Sequence, residues 1–162
     1  MKTIVNEGER ALVFKDGRLV NYLKEGKYNN FSFLGKKHVK YFCEGIFKIN
    51  MNLDILLKND SLREELDVIN VKEDEIYLYY KDDVFQEVYK EGKYAFWKVI
   101  GKNTFTKIDL KVVFQIDEKI KNVFSKTGLQ QSFDIIEIEG YNIGLYFRNG
   151  IFQKRFSEGT SA

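Results

Sequence analysis

One stretch is written three times in this chain, and any fold it adopts must accommodate that stretch three times. Residues 10–28 carry Leu12, Val13, Phe14, Asp16 and Gly17, then Leu23-Lys24-Glu25-Gly26-Lys27-Tyr28. Residues 76–94 keep the layout with Leu78, Tyr79, Tyr80, Asp82 and Asp83, then Tyr89-Lys90-Glu91-Gly92-Lys93-Tyr94. Residues 143–159 do so again with Leu145, Tyr146, Phe147, Asn149 and Gly150, then Phe156-Ser157-Glu158-Gly159. Each copy is an aromatic-rich run, a tight turn, a second apolar run and a Glu-Gly pair.

Such a unit reads as a β-hairpin. Leu12 and Phe14, Leu78 and Tyr80, and Leu145 and Phe147 are spaced by two, which puts each pair on one face of a strand. Val13, Tyr79 and Tyr146 fall on the opposite face, so both faces are expected to be covered. Aromatic residues at this density favour the pleated state. Asp16-Gly17 and Asn149-Gly150 suit a two-residue type I′ turn, whose central residues both need positive φ. Asp82-Asp83 lacks the glycine, so a looser or longer turn is expected there. Gly26, Gly92 and Gly159 are expected to take positive φ where each return strand closes.

The period extends beyond the hairpins. Short alternating runs precede each copy at residues 3–5, 68–71 and 135–138. Residues 28–33 correspond to 94–99, and 39–42 and 104–108 both have strand character, as do 46–49 and 112–116. Each full repeat then offers one short helix. Ser61 and Glu64 have capping-box spacing ahead of Leu66. Asp117 is placed to cap a helix over residues 118–124, with Ile120, Val123 and Phe124 on one face and Gly128 as its stop. The fold class expected is α+β and β-rich: tandem repeats of antiparallel hairpins and strands with one short helix per repeat. The repeats run 1–67, 68–134 and 135–162. The third stops after its hairpin, which either caps the stack or marks the chain as a piece of something longer.

Composition narrows the rest. A net charge of +2, from 26 basic and 24 acidic residues, supplies no strong field for nucleic acid. A single cysteine, Cys43, precludes an intramolecular disulfide. No signal-peptide core or membrane-length apolar run is present, so the expected location is cytoplasmic, with any membrane contact peripheral.

Residues recurring at one offset in every copy are best explained by the fold, and Glu25, Glu91 and Glu158 are therefore read as turn or cap residues. His38 and Cys43, five apart on a strand, would face opposite ways. A buried cysteine and a solvated histidine are expected, not a nucleophile pair. Two such ligands are too few for zinc, and Lys72-Glu73-Asp74-Glu75 lacks the glycine and final glutamate of a calcium loop. No cofactor motif occurs. Lys36, Lys37 and Lys40, beside Phe31, Phe33 and Tyr41, resemble a nucleic-acid platform or a lipid contact. A lysine-protected edge strand is the preferred reading. Trp97, the only tryptophan, is either an interaction residue or a residue packed in the core or between repeats.

The run Glu7-Gly8-Glu9-Arg10 through Gly17, with Leu23 to Tyr28 and Gly92-Lys93-Tyr94-Ala95-Phe96-Trp97, resembles the opening units of slipin-type proteins. These belong to the stomatin, prohibitin and flotillin superfamily. The resemblance implies a scaffold role without catalysis. The chain lacks that family's long coiled-coil segment and hydrophobic membrane hairpin, so neither ring assembly nor membrane insertion is carried over.

The expected function is thus a non-catalytic protein-interaction or assembly module, without cofactor or metal. A protein partner or self-association is expected, and nucleic acid is not. The candidate surface comprises Trp97, Ile151, Phe152 and Phe156. The alternative is a small-molecule or polymer binder using an aromatic groove around Tyr77, Tyr79, Tyr89 and Trp97.

Overall fold

The computed structural model describes residues 2–29 and 35–162, arranged as two compact units, Met1–Ile108 and Asp109–Ala162. The architecture is β-rich α+β, as the sequence pattern implies. Repeat and compact unit do not coincide. The first unit holds the first repeat and most of the second, and the other holds the tail of the second with the third.

One pattern of pairing recurs. In the first repeat β1 (Lys2–Val5) pairs antiparallel with β4 (Gly26–Asn29), enclosing the hairpin β2 (Glu9–Lys15) and β3 (Arg18–Leu23). A fifth strand, β5 (Lys37–Phe42), adds to the free edge of β2. In the second, β6 (Leu66–Val71) pairs with β9 (Gly92–Trp97) around the hairpin β7 (Glu75–Lys81) and β8 (Val84–Tyr89), and β10 (Asn103–Asp109) flanks β7. In the third, β12 (Ile136–Ile138) pairs with β15 (Gly159–Ser161) around β13 (Gly144–Arg148) and β14 (Ile151–Phe156).

The hairpins match in detail. Each has a two-residue loop with positive φ at both positions, at Asp16-Gly17, Asp82-Asp83 and Asn149-Gly150. The second turn is therefore as tight as the others, contrary to expectation. A short polar side chain tolerates the left-handed region well enough for the strand register to impose it. Each hairpin shifts register at the same place, after Val13, Tyr79 and Tyr146. Gly26, Gly92 and Gly159 do take positive φ, but they open the fourth strand of each repeat. Tyr28 and Tyr94 fold back over their glycines, and their hydroxyls donate to the Lys24 and Lys90 carbonyls at 2.9 and 3.1 Å. Recurrence of Gly-Lys-Tyr thus reflects one backbone corner built twice.

The link between repeats recurs as well. After β5 the chain lays Phe47 against β9, its amide donating to the Ala95 carbonyl at 2.8 Å. After β10, Phe114 exchanges bonds with Ala162, and β11 (Gln115–Ile116) pairs with β15. The helices are α1 (Leu53–Leu56), α2 (Asp60–Arg63) and α3 (Glu118–Thr127). The first repeat therefore has two single-turn helices, capped by Asn52 and Asn59, and Ser61 does not cap. Asp117 and Gly128 bound α3 as expected, with Gly128 at φ 72°.

In the first unit Leu12 and Phe14 pack with Cys43, Phe47, Leu56, Leu62, Leu66, Ala95 and Trp97. A second cluster joins Ile69, Val71, Tyr79, Tyr89 and Phe96 between the hairpin and the strand pair of the second repeat. In the other unit Phe114, Phe124 and Phe133 meet ring against ring, with Val123 and Ile116 buried. No helix among the described residues is long and apolar enough to cross a membrane.

Candidate interaction surface

The third hairpin is built like the first two but covered differently. Leu12 and Phe14 are 0% and 7% exposed, and Leu78 and Tyr80 are 0% and 2%; at the same positions Leu145 and Phe147 are 54% and 52% exposed. Phe152, across the hairpin from Phe147 and touching it edge-on at 5.7 Å, is also half exposed, as are Ile143 and Ile151. Ten of the seventeen exposed large apolar side chains among the described residues belong to the 109–162 unit, about a third of the chain.

Among the described residues no fifth strand lies beside this hairpin. In copy one, β5 closes the edge of β2, and its Val39 and Tyr41 pack beside Leu12 and Phe14. In copy two, β10 closes the edge of β7. Among the described residues β13 pairs only with β14. On the other face a groove of about 550 Å³ opens between hairpin and strand pair, lined by Leu110, Val113, Phe133, Ile136, Ile138 and Tyr146 among others. In copy two this place is filled by Phe96 and by Phe105 of β10, which stacks on Tyr79 at 5.3 Å. The hairpin's charge is one-signed: Arg148, Lys154 and Arg155 face no acidic residue between 142 and 157.

Of the four expected surface residues, Ile151 and Phe152 lie here and are exposed. Phe156 belongs to the same hairpin but is 6% exposed, with the Lys154 ammonium 4.9 Å over its ring. Trp97 is 1% exposed and packs between repeats against Phe47 and Tyr41, so it is no surface residue. The aromatic groove expected around Tyr77, Tyr79, Tyr89 and Trp97 does not form. Tyr79 and Tyr89 are buried in one cluster and Trp97 in another.

Sequence reasoning missed the first unit's polar cluster. The Glu65 carboxylate, 13% exposed, accepts from Arg10 Nε at 2.7 Å, the Tyr22 hydroxyl at 2.8 Å and Lys24 Nζ at 2.9 Å. Burial alone would raise its pKa, but these three donors hold it below the usual carboxylate range. Burial pushes the Tyr22 phenol strongly up, and the Cys43 thiol up to about 12. At neutral pH Cys43 therefore stays protonated and a poor nucleophile. No local motif announces this cluster, because its members come from β2, β3, the bend after β3 and the turn before β6.

His38 is half-buried, with Nδ1 3.3 Å from Thr3 Oγ1, so it is less solvated than expected. Glu25, Glu91 and Glu158 sit exposed at the bends before β4, β9 and β15. β5 is an edge strand bearing Lys37 and Lys40, while Phe31 and Phe33 lie outside the described residues. Among the described residues no three His, Cys, Asp or Glu side chains are grouped to hold a metal ion.

No family model matches the chain, nor does any curated protein or solved structure.

Proposed function

We propose that the chain is a non-catalytic protein-interaction or assembly module whose contact surface is the third hairpin. One observation carries this reading: positions buried in two copies of the repeat are half exposed in the third. Leaving Leu145, Phe147 and Phe152 half exposed forgoes about half of the roughly 1.5–3 kcal/mol per side chain that full burial would contribute. An exposed, contiguous apolar patch beside an open strand edge is the usual mark of a protein contact. Resemblance to slipin-type opening units supports a scaffold role of the same kind.

The reading is tested by photo-crosslinking in the native host, with benzoylphenylalanine replacing Phe152 and, as control, Lys90 on the exposed bend of the second repeat. Discrete polypeptide adducts are expected from position 152, a second copy of the chain included, and none from position 90. Equal, diffuse labelling from both positions would sink the proposal.

A further inference from the structure

We infer that the first repeat holds a pocket for a single apolar amino acid, at the turn end of its hairpin and separate from the third hairpin. The first two copies differ at this place. In copy two the chain ahead of the fifth strand is latched to the hairpin turn. The Asp82 amide donates to the Lys102 carbonyl at 2.9 Å, and the Asp82 carboxylate accepts from the Lys102 amide at 2.7 Å. A Cβ added to Gly101 would meet that carboxylate at 2.6 Å. Gly35-Lys36 stands there in copy one, yet a Cβ added to Gly35, or to Gly17 in the turn, would meet nothing within 4 Å. The side chains at this end are smaller as well. Copy two sets Tyr80 edge-on against Phe85 at 5.8 Å, and Phe14 and Leu19 hold those positions in copy one.

Turn and fifth strand therefore part around a cavity of about 410 Å³. Its floor is apolar, formed by Phe14, Val39, Tyr41 and Ile49. The two charged residues that line it, Asp16 and Lys37, are exposed and so stand toward the mouth. Lys37 pairs directly with Phe14 across the strands, which puts its side chain on the same face as the floor. Among the described residues neither Asp16 nor Lys37 is held in an ion pair. Cavities of roughly 300–1,000 Å³ with an apolar lining and few polar groups are the usual form of small-molecule sites. An apolar floor with one charge of each sign at the mouth suits a ligand with an apolar body and both charges. A free apolar amino acid has that chemistry: its side chain lies on the floor, its carboxylate at Lys37 and its ammonium at Asp16. Burial of the side chain supplies the affinity. The exposed charges, each contributing little, supply the orientation.

The site has a built-in reporter, because the ring of Tyr41 lies 6.1 Å from that of Trp97, the only tryptophan. The probes are L-leucine and L-phenylalanine, titrated into the full chain by calorimetry and by tryptophan fluorescence. Saturable 1:1 binding with a change in Trp97 emission is expected. Glycine, which lacks the apolar body, should not bind. Phenethylamine and hydrocinnamate, each lacking one charge, should bind roughly fivefold more weakly than phenylalanine. The decisive variant is Lys37→Glu. Lys37 is exposed, so the variant keeps its fold, which far-UV circular dichroism verifies. It should weaken phenylalanine roughly fivefold and make phenethylamine the tighter ligand, an inversion that a merely structural lysine would not cause. Absence of saturable binding to the parent chain overturns the inference, as does an unchanged ranking of ligands in Lys37→Glu. Equal binding of hydrocinnamate and phenylalanine also overturns it, assigning the pocket to a simple carboxylate. Crosslinks from position 152 test the interaction module separately and stand or fall without this pocket.

Discussion

Glu65 gathers three donors on one carboxylate, and two of them are as enclosed as it is: Arg10 is 11% exposed in its side chain and Tyr22 is buried. Removing one member of such a group leaves the others desolvated and unpaired, which costs more than the group contributes. Glu65→Ala is expected to destabilise the first unit by roughly 3 kcal/mol, read as a lower urea midpoint at unchanged slope. The pH dependence follows from the depressed folded-state pKa. Its stabilising contribution is present above the unfolded carboxylate value and is lost as pH falls through the folded one. Stability measured below pH ~4.5 should therefore fall less steeply in Glu65→Gln than in the parent chain. Equal slopes would show that the carboxylate titrates alike in both states.

The hairpin is the element on which the molecule is patterned, and its second copy shows where local preference yields to register. Asp83 holds φ 63° where the other copies carry glycine. The left-handed region costs a non-glycine residue about 1 kcal/mol, less for aspartate than for most. Asp83→Gly is expected to stabilise the chain by about 0.5–1 kcal/mol by relieving that strain, with some of the gain lost to the freer unfolded chain. A raised thermal midpoint checks it; a lowered one would mean that Asp83 makes a compensating bond. The corner at Gly92 is less forgiving, since an added Cβ would meet the Tyr94 hydroxyl at 2.9 Å.

At the scale of the whole molecule, the covering of apolar faces is uneven. The first unit buries both faces of its first hairpin, while the 109–162 unit leaves one face and the groove open. Trp97, the only tryptophan, lies in the core of the first unit, so its fluorescence follows that unit alone. Far-UV circular dichroism follows both. On urea titration the dichroism is expected to change before the fluorescence, because less apolar surface holds the 109–162 unit together. Coincident curves would mean that the two units unfold as one.

The sequence by itself determined the repeat, the hairpins, the turns at Asp16-Gly17 and Asn149-Gly150, and the helix between Asp117 and Gly128. These are set by alternation, turn chemistry and caps, all of which act over a few neighbouring residues. It also pointed to the third hairpin through Ile151 and Phe152. Only the tertiary structure decided which apolar residues are surface. Trp97 and Phe152 are equally apolar in the sequence, and burial depends on which distant segment arrives above them. Phe47 and Tyr41 reach Trp97 from another repeat, whereas no fifth strand reaches Leu145 among the described residues. The same holds for Glu65, whose partners lie 41 to 55 positions away and meet it only once the strands have paired.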